Sequence, residues 1–101
     1  MFKTRTLLLL ATLISMPLTS YAAGDAAAGK SKATTCAMCH GAAGISSNDI
    51  WPNLAGQKPG YLKKQMKAFK DGSRKDPMMS PMAAPLSDED IDNLAAYFSS
   101  L

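Results

Sequence analysis

Apolar residues recur at helical spacing in the middle of the chain. Leu62, Met66 and Phe69 occupy positions i, i+4 and i+7, and Gly72 follows them closely. This period places all three side chains on one face of a helix, and glycine is the residue that most often ends one. The spacing therefore predicts a helix over 61–71 with one buried face.

A second stripe of apolar residues marks a helix at the end of the chain. Ser87 and Asp90 form a capping-box pattern, in which each side chain accepts a hydrogen bond from the other residue's backbone N–H. The buried face that follows consists of Ile91, Leu94, Ala95 and Phe98. Acidic residues crowd the start of this helix, where the helix dipole favours negative charge.

Two further segments complete an all-α pattern. Asp25 caps a run of alanines, which predicts a first helix that closes with the sequence Cys36–His40. Residues 76–85 contain three prolines, at Pro77, Pro81 and Pro85, so no ordinary helix is expected there. This Met-rich segment, residues 76–85, is called the strap below. No segment alternates apolar and polar residues as an exposed strand does.

The apolar run near the start, interrupted only by Thr12 and Ser15, has the form of a secretory signal peptide. Lys3 and Arg5 precede the apolar residues 7–16, and Ser20 and Ala22 supply the small side chains that a signal peptidase requires. A membrane anchor is the alternative, but ten residues at about 1.5 Å each span only about half of a hydrocarbon core. The prediction is cleavage of residues 1–22, export to the periplasm, and a single mature domain over 23–101.

Size and charge narrow the choice of function. A mature domain of this length buries a marginal apolar core and usually needs a disulfide, a metal or a cofactor to stabilise it. The whole chain carries 11 Lys+Arg against 8 Asp+Glu. Two of those cations lie in the signal peptide, so the mature domain is nearly neutral and nothing indicates nucleic-acid binding.

Both cysteines lie in one pentapeptide, Cys36-Ala37-Met38-Cys39-His40. Side chains three apart share a helix face, so two thiols can reach two vinyl groups on one porphyrin edge while the next residue presents an imidazole to the iron. This C-x-x-C-H pattern is typical of covalent attachment of haem c. A disulfide and a thioredoxin-type pair are alternatives, but the latter follows a strand and no strand is predicted. A zinc site would need a fourth ligand, and the chain has no other His or Cys.

The order of motifs resembles the class I cytochromes c. The likeness rests on a helix leading into Cys36–His40, then Trp51-Pro52-Asn53-Leu54-Ala55-Gly56-Gln57, a Met-bearing segment, and Leu86-Ser87-Asp88 opening the last helix. It covers 23–101 and is nearest to short periplasmic single-haem members and to one half of the di-haem "c-four" type. It implies an all-α fold of three to four short helices around one covalently attached haem.

The resemblance also implies a role for particular residues. His40 would be the proximal ligand of the iron, oriented by a hydrogen bond to the Pro52 carbonyl, and Leu54 would line the haem. The first and last helices would cross closely at Gly29, where Tyr97 or Phe98 fills the gap. His40 is the one histidine, so the sixth ligand is a methionine, a lysine, water or nothing; alignment with the family favours Met79 of the strap, and Met78 and Met82 remain alternatives.

The expected function is electron transfer. Iron held by His and Met has no open position for a substrate, and no catalytic acid, base or nucleophile is evident, so the chain is not predicted to be an enzyme. The family suggests a monomeric carrier between a quinol-oxidising complex and a terminal oxidase or reductase. The alternatives are a fixed haem subunit of a periplasmic oxidoreductase and a ligand-binding haem protein.

Lys63, Lys67 and Lys70 recur at helical spacing and form either a docking surface for an acidic partner or a solvated face.

Overall fold

The computed structural model describes residues 3–15 and 24–101. The proposed signal-peptide cleavage site, after Ala22, lies outside these ranges. Residues 3–15 form no helix, and their leucines are exposed. None of the helices within the described ranges has the length and apolar character needed to cross a membrane.

Five helices and no strands make up the part of the chain that the structure describes, which confirms the all-α fold. They are α1 (Ala26–Lys32), α2 (Thr34–His40), α3 (Pro59–Asp71), α4 (Met79–Ala83) and α5 (Asp88–Ser99). The expected number, three to four, was too low for two reasons: the first predicted helix is divided and the strap contains a helix.

The division falls at Ala33, between α1 and α2. The N–H of Ala33 is shared between the carbonyls of Gly29, at 2.9 Å, and Lys30, at 3.3 Å. The Thr34 hydroxyl also donates to the Ser31 carbonyl, at 3.3 Å, and such side-chain bonds compete with regular helical geometry. The helix therefore tightens for one residue before it continues into the cysteine motif.

The strap contains the five-residue helix α4, although no ordinary helix was expected in this proline-rich segment. Pro81 is the third residue of α4. In the first turn of a helix the backbone N–H groups have no acceptor within the helix, so the missing N–H of proline costs little there. The helix ends before Pro85, as expected for a proline that would break it.

The core is built around α5. Its predicted buried face is confirmed, because Ile91, Leu94, Ala95 and Phe98 are all nearly inaccessible. The capping box is confirmed as well: the Ser87 hydroxyl accepts from the Asp90 N–H and an Asp90 oxygen accepts from the Ser87 N–H, both at 3.0 Å. The junction of α1 and α2 contributes Ala33 to the core, and helices α3 and α4 contribute Leu62, Phe69 and Ala83.

Helices α1 and α5 cross in contact with each other at Gly29. A Cβ added to Gly29 would overlap the Asn93 carbonyl and lie 2.8 Å from the Tyr97 Cβ, so only glycine permits this approach. The Asn93 side chain also accepts a hydrogen bond from the Asp25 N–H, at 2.7 Å. Because α2 follows α1 directly, this crossing positions the cysteine motif relative to the core.

Candidate functional site

Helix α2 presents the three chemically distinctive side chains of the chain within five residues. Cys36 and Cys39 are half-buried free thiols, and His40 is buried at the last position of the helix. Between the two cysteines, Met38 points away from the core, with 83% of its surface exposed. Cys36 packs against the core cluster formed by Leu94 and its neighbours.

Burial also affects the chemistry of the first cysteine. It raises the pKa of the Cys36 thiol, an effect that a hydrogen bond with Thr35 partly offsets. The group is therefore a protonated thiol at neutral pH. A thiol in this form carries the hydrogen atom that thioether formation adds to a vinyl group.

The His40 ring is held by the loop that follows α2. Its Nδ1 lies 2.7 Å from the Pro52 carbonyl oxygen. Because a carbonyl can only accept, Nδ1 is the donor of this hydrogen bond, and Nε2 is the ring nitrogen that remains to bind a metal. A neutral imidazole oriented by a backbone carbonyl is the usual form of a metal-bound histidine.

Glycines give this loop the shape that brings Pro52 to His40. The Gly44 carbonyl accepts hydrogen bonds from the N–H groups of Leu54, at 2.8 Å, and Ala55, at 2.9 Å. Gly44 has φ +72°, and a Cβ there would lie 3.0 Å from the Ala55 nitrogen. The loop thereby folds back on itself, and Leu54 packs half-buried against the core.

The three methionines of the strap differ in exposure. Met78 is 52% exposed and Met82 is 42% exposed, whereas Met79 is half-buried as the first residue of α4. Among them, Met79 is therefore the least accessible to solvent. Met66 belongs to α3 and packs partly buried against the core, as its place in the apolar stripe predicts.

Asp76 holds the turn that leads to Met79, a role that the sequence reasoning missed. One of its carboxylate oxygens accepts hydrogen bonds from the N–H groups of Met79 and Met78, each at 2.8 Å. These two bonds, of which the one from Met79 has the larger effect, hold the pKa of the Asp76 carboxyl below its usual range. Asp followed by Pro is a frequent start of a helical turn, so the signal was present in the sequence.

The residues brought together here fit a covalently attached haem. Two thiols on one helix turn match the vinyl groups of one porphyrin edge, and the free Nε2 of His40 can coordinate iron. The half-buried apolar side chains of Leu54 and Met66 adjoin this helix through the same core cluster. Within residues 3–15 and 24–101, no three His, Cys, Asp or Glu side chains cluster as another metal site would require.

The lysines of α3 fall into two groups, those whose ammonium group has a partner and those that form no ion pair with the described residues. Lys63 forms an ion pair with Asp92 of α5, at 3.3 Å, and the Lys70 ammonium donates to the Leu86 carbonyl. Both therefore help to join α3 to the C-terminal part of the fold. Lys64 and Lys67, which form no ion pair with the described residues, line an open groove along α3 together with Lys63.

Comparisons with known proteins identify the family of the chain. The family model described as Cytochrome c matches residues 26–101. Cytochrome c-554(548) of Halomonas halodenitrificans is 53% identical over 81 residues, which cover 77% of this chain and 98% of that relative. Cytochrome c4 of Pseudomonas aeruginosa is 48% identical over 95 residues, covering 92% of this chain and 47% of the relative.

A solved structure is similar in fold as well as in sequence. The crystal structure of reduced recombinant cytochrome c4 from Pseudomonas stutzeri superposes with a TM-score of 0.73 at 46% identity, over 77% of this chain and 46% of that one. The chain thus spans nearly all of the Halomonas relative but about half the length of the cytochrome c4 chains.

Proposed function

Because the chain belongs to the cytochrome c family, we propose that its mature domain carries single electrons between redox proteins in the periplasm. The cofactor is one covalently bound haem c. When bound, the haem supplies a one-electron couple at its iron. The observation that carries the proposal is the His40–Pro52 hydrogen bond at the end of the cysteine helix, because it prepares an imidazole for an axial ligand role.

Each site residue then has a defined task. Cys36 and Cys39 would hold the porphyrin edge through thioether bonds, and His40 would bind the iron through Nε2. The Pro52 carbonyl would keep the imidazole from rotating, and Leu54 would line the haem beside it.

Met79 would be the second residue to hold the iron in this proposal. Its support is the resemblance in the sequence together with its lower exposure compared with Met78 and Met82. A methionine ligand leaves no position for a substrate and raises the reduction potential relative to a second histidine. The site therefore suits a carrier rather than an enzyme.

Export is part of the same proposal. The leucine-rich residues 3–15 pack no apolar side chain into the core, which suits a segment that is removed. Cleavage after Ala22 would leave α1 and every site residue intact, because the first helix begins at Ala26.

Docking to the redox partner is assigned to the free lysines of α3. Lys67 and Lys64 face a groove and form no ion pair with the residues that the structure describes. A quinol-oxidising complex is the proposed donor, and a terminal oxidase or reductase is the proposed acceptor. Lys63 and Lys70 of the predicted stripe serve mainly the packing of α3, because their ammonium groups already have partners.

The test is the absorption spectrum of the purified holoprotein in both oxidation states, with and without carbon monoxide. A carrier in which His40 and Met79 both hold the iron would show the ferric near-infrared band of methionine ligation, and carbon monoxide would bind its ferrous form only weakly and slowly. Rapid carbon monoxide binding by the unmodified protein would instead indicate a ligand-binding haem protein.

A second candidate is a fixed haem subunit of a larger oxidoreductase. It is favoured by the cytochrome c4 relatives, in which a unit like this chain makes up about half of a longer polypeptide. Gel filtration of the native protein from its source separates the two. Elution as a free monomer supports the carrier, and co-elution with other subunits supports the fixed subunit.

A further inference from the structure

A compact hydrogen-bonded turn precedes Met79 in the strap. The Asp76 carboxylate accepts from the N–H groups of Met78 and Met79, both at 2.8 Å. In return the Asp76 N–H donates to the Ser80 hydroxyl, at 3.0 Å, and the Ser80 N–H donates to the Asp76 carbonyl, at 3.0 Å. Met79 therefore lies inside a reciprocal network, which we call the Asp76 clamp: Asp76, its two N–H donors and Ser80.

The prolines of the strap cannot replace the hydrogen bonds of the Asp76 clamp. Pro77 and Pro81 restrict φ, but they have no N–H, so they add no hydrogen bond that holds the turn closed. The residue directly before α4, Met78, makes no capping hydrogen bond with its side chain. The turn therefore depends on Asp76 to satisfy the backbone N–H groups at its start.

We propose that Asp76 is the positioning residue for Met79, holding the turn in the conformation that keeps the thioether on the haem iron. This inference rests on the proposed function, in which Met79 is the second axial ligand. Asp76 does not touch the iron in this scheme. It acts by lowering the fraction of molecules in which the strap is open, since the N–H groups of an open strap must find other partners.

The expected change in the open fraction of the strap follows from the capping role of Asp76. Removing a capping side chain typically shifts the equilibrium of the capped turn about fivefold to tenfold. Carbon monoxide binds the ferrous protein only when Met79 has left the iron, so its apparent affinity scales with the open fraction. Asp76→Ala is therefore expected to bind carbon monoxide about fivefold to tenfold more tightly than the parent protein.

The experiment uses the holoprotein and two readouts. One is carbon monoxide titration of the ferrous form, together with the near-infrared band of the ferric form. The other is hydrogen exchange of the Met79 amide, which should accelerate by a similar factor in Asp76→Ala. Asp76→Asn keeps an oxygen acceptor of the same shape, so it should stay within about twofold of the parent protein in both readouts.

Asp71→Ala is the matched control. Its carboxylate accepts from the backbone N–H of Ser73, at 2.8 Å, which is the same kind of surface contact placed outside the strap. The proposal predicts that this variant leaves the carbon monoxide affinity and the Met79 amide unchanged. Equal effects of Asp71→Ala and Asp76→Ala, or no rescue by Asp76→Asn, would overturn the clamp.

Met79→Ala separates this inference from the proposed function. If the near-infrared band is lost in Met79→Ala while Asp76→Ala matches the parent protein, the ligand assignment stands and the clamp is wrong. If the band survives in Met79→Ala, the assignment of Met79 is wrong, and the clamp falls with it.

Discussion

Replacing Gly29 with alanine tests the crossing of α1 and α5. In the parent structure the position of a Cβ at Gly29 is taken up by Asn93, whose carbonyl carbon would lie 2.6 Å away, and by the Tyr97 Cβ at 2.8 Å. No rotamer change can relieve an overlap with backbone and Cβ atoms. The added methyl group must therefore push α1 away from α5 and strain the start of the cysteine motif.

Two opposing effects determine how much stability Gly29→Ala loses. Overpacking a close contact costs about 1 to 3 kcal/mol, and an overlap with backbone lies at the upper end of that range. Alanine is a better helix former than glycine by up to about 1 kcal/mol, which offsets part of the cost. The net loss is about 2 kcal/mol, which corresponds to a fall in Tm of roughly 8 to 16 °C for a domain of this size.

Thermal unfolding of the holoprotein, followed by circular dichroism, measures this loss. Gly60→Ala is the matched control, because Gly60 lies in α3 and a Cβ there meets nothing within 4 Å. That variant should gain about 0.4 to 1 kcal/mol from the reduced freedom of the unfolded chain. If Gly29→Ala melted at or above the parent temperature while Gly60→Ala behaved as expected, the close crossing would be refuted.

Four other predictions address export, ligation, pH and docking. The mature protein should have the mass of residues 23–101 plus one haem; a disulfide-bonded mass without haem would contradict the site. Met79→Ala should lose the ferric near-infrared band and Met78→Ala should keep it, and the reverse result would reassign the ligand. The pKa of Asp90 lies below its usual range, chiefly because the Ser87 N–H donates to its carboxylate, so its contribution to stability is complete above about pH 5 and is lost as the pH falls through the folded-state pKa. In urea titrations the stability gap between the parent protein and Asp90→Ala should therefore narrow as the pH falls below the ordinary aspartate pKa of about 4, and a constant gap would contradict this. Lys67→Gln should slow electron transfer to the partner at low ionic strength but not at high salt, whereas an unchanged rate would leave Lys67 as solvated surface.

Short sequence patterns were enough to predict most of the helices and the family to which the chain belongs. The stripe of Leu62 and Phe69, the capping box at Ser87 and the aspartate cap at Asp25 each depend on residues within one or two helical turns. The interactions that form them join residues close together in the chain, so the sequence alone predicts them. The C-x-x-C-H pattern is equally local, and the match of the cytochrome c model to residues 26–101 confirms the resemblance drawn from it.

Local context also explains where that reasoning failed. The three prolines in 76–85 argued against an ordinary helix, but the place of Pro81 in the first turn of α4 makes it compatible with a short one. The role of Asp76 was missed in the same segment: Asp before Pro is a signal for the start of a turn, but only the structure shows that its carboxylate binds the N–H groups of Met78 and Met79.

Only the tertiary structure decided which surface residues are free. Lys63, Lys67 and Lys70 look equivalent along the helical period, yet Lys63 pairs with Asp92 and Lys70 reaches the Leu86 carbonyl. Those partners lie many residues away along the chain, and they are brought close by the packing of α3 against α5. Long-range pairs of this kind depend on how helices are arranged in space, which the period of apolar residues along each helix does not contain.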